Sequence, residues 1–330
     1  MKKSNSNYAL LYERERNKVN KKLAVALKNR KPESLYKPSD YILSNSGKRL
    51  RPILVLFSAK ASNGNMNSVF NAALSVEMLH NFTLIHDDIM DNADLRRGKK
   101  TLHKLYDLNT AILAGDSLLS VAYEYLLKDC KVNAREAVSA FTEGLIEVCE
   151  GQSLDTDFEK RNDVSLDEYI VMIKKKTAAL AKMCCKLGAI LSDAKQSDIK
   201  ALSDYGLNLG IAFQIQDDLL DIIGEEKDFG KTVGGDLIAG KKTFLVIKAL
   251  EKAKGEYKKE LLKMIKNKGI KPEKVNYFKQ MFINLGVVED AKKEIRKFTE
   301  KALRSIDRLS NKNEISFFYW LADSLIERNK

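Results

Sequence analysis

Apolar residues recur at intervals of three and four along most of the chain, which is the period of an amphipathic helix. The clearest run covers residues 71–90, and similar patterns predict helices over 8–29, 39–45, 53–61 and 110–127. Strand-like alternation is scarce, whereas segments rich in Ala, Leu, Lys and Glu are frequent. The pattern therefore predicts an all-α protein.

The helix predicted over 71–90 leads into three carboxylates, on Asp87, Asp88 and Asp91. Asp87 and Asp91 are four residues apart and share one helix face. Two carboxylates stacked there repel each other and are poorly hydrated, so a bound cation would stabilise them. For a single motif of this kind, a solvated helix end is the simpler explanation.

The same pattern occurs a second time, as Asp217, Asp218 and Asp221, after an apolar helical run over 207–215. Two copies favour a metal site, because Mg²⁺ prefers a few carboxylate oxygens together with waters and substrate phosphate oxygens. Two facing aspartate-rich helices would provide such a site. The hypothesis is a pocket between helices that holds several Mg²⁺ ions and a diphosphate.

Basic segments accompany both motifs. The turn at 47–52 places Lys and Arg side chains before an apolar helix, where positive charge opposes the helix dipole, so a bound anion explains it better. Arg96 and Arg97 follow the first motif. One guanidinium group can bind two phosphate oxygens at once through two parallel hydrogen bonds. Lys176 and Thr177, if they point inward, would add a cation and a hydroxyl to a phosphate site.

The segment 224–242 is the longest glycine-containing loop. It resembles the end of a P-loop, but Glu225 stands where that motif requires glycine and no strand precedes it, so a P-loop is rejected. Lys231 and Lys241 remain candidate phosphate ligands.

Composition narrows the classes of function. The 330 residues are 44% hydrophobic and contain no Pro/Gly/Ser-rich linker, which favours one compact domain. The net charge of +12 comes mostly from dispersed lysines without interleaved aromatic residues, so nucleic-acid binding is not expected. Glu77 and His80 have the spacing of a di-iron ligand pair, but neither of the other histidines repeats it.

Cysteine usage and the amino terminus bear on location. Four cysteines show no metal-binding spacing, which predicts buried thiols in a reducing compartment. Residues 1–8 are polar and are expected to be flexible, and no apolar run is long enough for a membrane span. We expect a cytoplasmic protein.

Taken together, these motifs resemble those of the trans-isoprenyl diphosphate synthases, the polyprenyl synthetase family, and most closely its short-chain geranylgeranyl and farnesyl diphosphate synthases. The resemblance runs from the basic turn through both aspartate motifs to Lys241, in the family's order. It implies a single all-α domain over 1–330, built as a helical bundle of the isoprenoid synthase type around a central active-site cavity. It also implies a homodimer.

The resemblance assigns a role to each motif residue. Three Mg²⁺ ions per site are expected on Asp87, Asp88, Asp91, Asp217, Asp218 and Asp221, with Asp87, Asp91 and Asp217 as the best direct ligands. The allylic diphosphate or its metals would contact Arg96, Lys176, Thr177, Gln214, Lys231 and Lys241. Isopentenyl diphosphate would contact Lys48, Arg51, His80 and Arg97. The residues expected to assist ionisation are Asp87, Asp91, Arg96, Lys176, Asp217 and Lys231.

The implied reaction is a head-to-tail condensation of isopentenyl diphosphate with dimethylallyl, geranyl or farnesyl diphosphate, by ionisation, alkylation and proton loss. In the family, a bulky residue shortly before the first motif closes the product cavity, and here Phe82 and Thr83 hold that place. This resembles the geranylgeranyl (C20) pattern, with farnesyl (C15) as the alternative product.

Two other classes of protein are disfavoured. A class I terpene cyclase need not bind isopentenyl diphosphate, so Lys48, Arg51 and Arg97 argue against it. A non-catalytic subunit of a heteromeric synthase would normally have lost an aspartate motif, and both are intact.

Overall fold

The structure, a computed structural model, describes residues 2–45, 47–224 and 233–326, with side chains from residue 7 onward. Helices make up most of the chain, which confirms the all-α prediction. They are α1 (Lys2–Leu23), α2 (Glu33–Leu43), α3 (Leu50–Ala61), α4 (Phe70–Met90), α5 (Leu102–Leu105), α6 (Leu108–Asp129), α7 (Ala134–Lys160), α8 (Leu166–Ile173), α9 (Ala179–Ile190), α10 (Gln196–Ile223), α11 (Gly235–Ile238), α12 (Phe244–Lys252), α13 (Gly255–Lys266), α14 (Val275–Asn284), α15 (Val287–Ile306) and α16 (Ile315–Ile326).

Short elements fill some of the connections. Strands β1 (Leu95–Arg96) and β2 (Lys99–Lys100) pair antiparallel as a small hairpin. Single 3₁₀ turns cover Met66–Val69, Pro272–Lys274 and Lys312–Glu314, and a π-helical turn covers Lys174–Ala178.

The chain forms two compact units. The first contains Met1–Phe141, Met183–Leu202 and Leu309–Trp320; the second contains Thr142–Lys182, Ser203–Arg308 and Leu321–Lys330. The single domain that the sequence predicts stays a prediction.

Helix α4 is the core of the first unit and is buried on all sides from Ala72 to Asn81. Asp129, at the end of α6, fixes its start by accepting hydrogen bonds from Asn71 Nδ2 and Ala72 N, both at 2.8 Å. The Ser75 hydroxyl donates to the Ala122 carbonyl at 2.6 Å, which joins α4 to α6 a turn later. These contacts hold the helix whose far end carries the first aspartate motif.

The second unit has a core of aromatic and aliphatic side chains from α8, α10, α12, α14 and α15. Helix α8 begins with a capping box, in which Ser165 and Glu168 satisfy each other's backbone N–H groups. The next residue, Tyr169, is buried and packs edge to face against Phe244, with ring centroids 6.3 Å apart. The start of α8 thereby brings the Tyr169 hydroxyl into the interior.

Two of the predicted helices have different boundaries in the structure. Helix α1 ends at Leu23 and does not continue to residue 29, and residues 2–8 form its first turns. Helix α2 begins at Glu33, six residues earlier than predicted, and passes through Pro38. Inside a helix, Pro38 removes one backbone hydrogen bond and its ring crowds the carbonyl four residues earlier, but the packing of Ile42 and Leu43 in the core outweighs this cost.

All four cysteines are free thiols, but not all are buried as predicted. Cys184 and Cys185 are buried, Cys130 is half-buried and Cys149 is exposed, since it lies on an outward face of α7. Across the described residues, no helix has the length and apolar character needed to cross a membrane. The cytoplasmic location stays a prediction.

Candidate active site

The first aspartate motif lies at the carboxyl end of α4, and its three side chains have different surroundings. Asp91 caps the helix and is exposed, and Asp87, one turn earlier on the same face, is half-buried. Asp88 is only 3% exposed, and its Oδ1 accepts a hydrogen bond from Arg96 Nε at 2.7 Å. Burial raises the pKa of Asp88, and Arg96 opposes that shift. Buried Asp88 therefore has a half-buried cation as its partner.

The β1–β2 hairpin returns Arg96 to the helix that precedes it. Arg97 and Gly98 form its turn with φ of +52° and +75°, as a two-residue hairpin turn of the primed type requires. The Thr101 hydroxyl ties the hairpin base to the Ala93 carbonyl at 2.6 Å. A small pocket opens beside it. It is lined by Ile42, Asn45, Asn81, Leu84, Ile85, Asp88, Arg96, Arg97, Lys100 and Thr101.

The basic turn is anchored by Arg49, which precedes α3 with φ of +51°. Its guanidinium donates to Glu77 Oε1 at 2.6 Å, to Asn20 Oδ1 at 2.8 Å, and to the carbonyls of Leu43 and Asn45. These contacts occupy Arg49 within the protein interior. Sequence reasoning left Arg49 without a role, and its role here is structural.

His80 and Arg51 lie together, as the resemblance implies. Arg51 Nη1 is 3.0 Å from His80 Nε2. Burial holds the pKa of His80 well below its usual value, and the surrounding arginines lower it further, so the imidazole is neutral. We assign Nε2 as the acceptor from Arg51, which places the ring proton on Nδ1. The Glu-x-x-His pair that resembles a di-iron motif thus binds Arg49 and Arg51.

Arg97 and Lys48 lie at the same turn. A Cβ atom at Gly47 would be 2.9 Å from Arg97 Nη1, so the guanidinium rests against that glycine. Lys48 is exposed, and its carbonyl accepts a hydrogen bond from the Tyr12 hydroxyl at 2.5 Å. The first unit therefore gathers the predicted contacts of isopentenyl diphosphate at one place.

The second aspartate motif, in α10, holds its middle residue in the core of the second unit. Asp218 is 4% exposed and accepts from the Tyr169 hydroxyl at 2.5 Å, Gln214 Nε2 at 2.9 Å and Phe244 N at 3.3 Å. Burial raises the pKa of Asp218 well above the usual range, and the charge of Asp236 adds to the shift. The three donors partly offset that cost.

Asp221 and Asp217 complete this motif. Asp221 is buried, and its Oδ2 accepts from Asp236 N at 3.1 Å, so it caps the start of α11. Asp217 is half-buried. Asp236 Oδ1 lies 3.9 Å from Lys241 Nζ, which brings Lys241 near the motif. Lys231 lies outside the described residues.

Lys176 and Thr177 belong to the π-helical turn between α8 and α9. Lys176 forms an ion pair with Asp155, and the Thr177 hydroxyl donates to Gln214 Oε1 at 2.8 Å. Because Gln214 also donates to Asp218, one amide links the π-helical turn to the second aspartate motif. Turns of this kind are frequent at functional sites.

Two glycines allow neighbouring helices to approach this turn. A Cβ at Gly151 would lie 2.1 Å from Lys176 N, and a Cβ at Gly210 would lie 2.6 Å from Ala178 Cα. Sequence reasoning did not assign roles to these glycines, nor to Asp155, Tyr169 and Asp236. A glycine inside a predicted helix was the available signal for the first two.

The two predicted chain-length residues are half-buried on α4. The Phe82 ring meets the His86 ring edge to face, with centroids 4.6 Å apart and planes at 88°. The Thr83 hydroxyl donates to the His80 carbonyl at 2.8 Å, so it is used within the helix.

The donor set fits Mg²⁺ as part of a substrate complex. Among the residues that the structure describes, no group of three or more His, Cys, Asp or Glu side chains is arranged to hold a metal by itself. Asp87 and Asp91 offer carboxylate oxygens one turn apart, without sulfur ligands. Mg²⁺ is usually held in this way, by one or two carboxylates with waters and substrate phosphates.

The sequence model of the polyprenyl synthetase family matches residues 32–282. The chain belongs to this family. It is 41% identical to a geranylgeranyl pyrophosphate synthase of Geoglobus acetivorans, over 94% of this chain and 96% of that protein. It is 43% identical to a short chain isoprenyl diphosphate synthase of Methanocaldococcus jannaschii, over 74% and 75% of the two chains.

Solved structures of family members have the same fold. A crystal structure of a geranylgeranyl pyrophosphate synthase matches with a TM-score of 0.89 at 39% identity, covering 96% of this chain and 98% of that one. The synthetase of Pyrococcus horikoshii Ot3 matches with a TM-score of 0.89 at 34% identity, covering 98% and 100%. As a member of this family, the chain is a prenyltransferase. Enzymes of the family use isopentenyl and allylic diphosphates and generally depend on Mg²⁺.

Proposed function

We propose that this prenyltransferase condenses isopentenyl diphosphate with an allylic diphosphate to give all-trans geranylgeranyl diphosphate, a C20 product. The main observation is the cluster of Arg51, neutral His80 and Arg97 at the basic turn, close to a helix that ends in Asp87 and Asp91. A terpene cyclase has no need of this second cationic site. The relatives named geranylgeranyl synthases support the product.

The six motif aspartates divide into two groups in this proposal. Asp87, Asp91 and Asp217 would be the direct ligands of Mg²⁺, of which the family resemblance implies three ions. The other three are buried and hydrogen-bonded within the protein, so they position their neighbours. When bound, Mg²⁺ would neutralise charge on the departing diphosphate.

The basic and polar residues bind and orient the substrates. Arg96 and Lys176 donate to the allylic diphosphate, which carries more negative charge as its C–O bond breaks. Thr177, Gln214, Lys231 and Lys241 are proposed to complete that site. Lys48, Arg51, His80 and Arg97 hold isopentenyl diphosphate, so that its double bond meets the allylic carbon. No protein nucleophile is required.

Phe82 is proposed to end the product cavity, with Thr83 beside it. An aromatic ring there would stop elongation at C20; a second aromatic residue is common where C15 is made. Relatives named geranylfarnesyl diphosphate synthases, including one of Natronomonas pharaonis at 44% identity, show that the family also reaches longer products. Phe82→Ala should lengthen the product, and an unchanged distribution by chromatography would overturn this role.

A homodimer is also part of the proposal. Leu108, Ile112 and Leu113 are exposed at the start of α6, with 52%, 37% and 59% of their surface accessible. A second copy of the chain would cover this apolar surface. Light scattering should show that the wild-type protein is a dimer and that Leu113→Glu shifts it toward the monomer. A monomeric wild-type protein would contradict the proposal.

The direct test is incubation with labelled isopentenyl diphosphate, each allylic primer in turn and Mg²⁺, followed by product sizing. We expect C20 to dominate, and chelation by EDTA to abolish incorporation. Asp87→Asn and Asp217→Asn should each lose most activity, while Asp307→Asn, distant in sequence from both motifs, serves as a control. If no label from isopentenyl diphosphate is incorporated with any primer, the proposed condensation activity is refuted.

A further inference from the structure

The His86 side chain lies between Phe82 and helix α6. On one side, its ring meets Phe82 edge to face at 4.6 Å. On the other, it rests on Gly115, where an added Cβ would lie 3.0 Å from His86 Cε1 and 3.1 Å from Nε2. The imidazole thus fills the space between the two residues.

The position of this ring is set by α6. Gly115 is buried, and only a residue without a side chain leaves the imidazole where it is. The adjacent Asp116 places Oδ1 3.7 Å from His86 Nε2, so this part of α6 lies directly beside the ring. Nothing in the sequence analysis gave His86 a role, although it directly precedes the first motif.

We propose that His86 is a specificity-determining positioning residue, which fixes the Phe82 ring so that product length depends on the stack Gly115–His86–Phe82. The inference rests on the proposed role of Phe82 in ending the product cavity. The edge-to-face contact restricts the rotamers of Phe82, because the imidazole occupies the space into which the phenyl ring would turn. Without that spacer, the phenyl ring can move aside and admit a longer chain.

Three single variants and one double variant test the stack by product-length distribution, which does not depend on the overall rate. Phe82→Ala should shift the products beyond C20. His86→Ala should shift the products in the same direction but less. His86→Phe keeps an aromatic ring at this position, so its products should have the wild-type length distribution. The double variant His86→Ala/Phe82→Ala should match Phe82→Ala, because His86 acts through that ring.

A further single variant, on α6, keeps the test informative if changes beside Asp87 abolish activity. Gly115→Ala should push the imidazole toward Phe82 and shift the products toward C15. The control is Ser120→Ala. Ser120 is exposed on the same helix, and its hydroxyl donates to the Asp116 carbonyl.

Two outcomes would overturn the inference. One is a wild-type distribution in both His86→Ala and Gly115→Ala while Phe82→Ala lengthens the product, which leaves the proposed function intact. The other is further lengthening when His86→Ala is added to Phe82→Ala. If Phe82→Ala itself leaves the distribution unchanged, the proposed role of Phe82 fails, and the role of His86 fails with it.

Discussion

Arg49 Nη1 lies 2.6 Å from Glu77 Oε1, and the two side chains are only 2% and 6% exposed. Removing one partner of a buried ion pair leaves the other charge without compensation and costs about 3–5 kcal/mol. Glu77→Leu should therefore destabilise the protein by about that amount in urea unfolding. The double variant Arg49→Met/Glu77→Leu should recover a large part of the loss.

The same pair should affect one substrate more than the other. Arg49 fixes the turn on which Lys48 and Arg51 lie, so Glu77→Gln should raise KM for isopentenyl diphosphate more than KM for the allylic primer. An equal rise in both would mean that the pair acts only on global stability.

Asp87 and Asp88 are neighbours with different partners, so their variants should differ. Asp88→Ala removes the acceptor of Arg96 and should raise KM for the allylic primer, by about ten-fold if 1.4 kcal/mol is lost. Its Mg²⁺ requirement should stay close to that of the wild type. Asp87→Asn should instead raise the Mg²⁺ concentration needed for half-maximal rate. Identical Mg²⁺ titrations of the two variants would contradict this division.

The sequence was sufficient to predict the helical class and which residues of a motif share one helix face. Asp87 and Asp91 could be placed on one face because helix geometry fixes that relation. Residues that meet only through tertiary packing could not be paired. Tyr169 is one example, because the buried environment of Asp218 depends on where α8 and α10 pack.

The boundaries of some helices were also beyond the sequence pattern. The helix predicted over 39–45 begins just after Pro38, because local propensity disfavours proline inside a helix, yet α2 passes through Pro38 and its last turn is buried. In the same way, the partners of Arg49 come from α1, α2 and α4, which no local pattern brings together.

The Tyr169 hydroxyl donates a hydrogen bond to the carboxylate of Asp218 in the core of the second unit. Tyr169→Phe keeps the ring but leaves the buried Asp218 with one donor fewer, and a buried polar group that loses its partner costs about 1–3 kcal/mol. We expect a loss of stability in that range by chemical denaturation. Tyr277 is 42% exposed, so the control Tyr277→Phe should change stability little. Equal stability of Tyr169→Phe and the wild type would show that Asp218 is satisfied without this bond.

Gly151 allows α7 to contact the backbone of the π-helical turn, since an added Cβ would lie 2.1 Å from Lys176 N. Gly151→Ala should displace Lys176 and lower kcat strongly, although alanine favours helix formation by about 1 kcal/mol over glycine. Steady-state kinetics with Ser153→Ala, an exposed residue on the same helix, provide the comparison. Wild-type kcat in Gly151→Ala would mean that the turn tolerates a shift of Lys176.

Glu168 couples the start of α8 to pH. Hydrogen bonds from the Ser165 backbone and hydroxyl, together with Arg161, lower the pKa of Glu168 from 4.5 to about 2. Because the folded-state pKa is depressed, the charged carboxylate stabilises the fold above pH 4.5, and this contribution is lost as pH falls toward 2. The Tm difference between wild type and Glu168→Gln should therefore be largest near neutral pH and shrink below pH 4.5. Glu300→Gln, an exposed helical residue, serves as the control, and a Tm difference independent of pH would contradict the role of the charge.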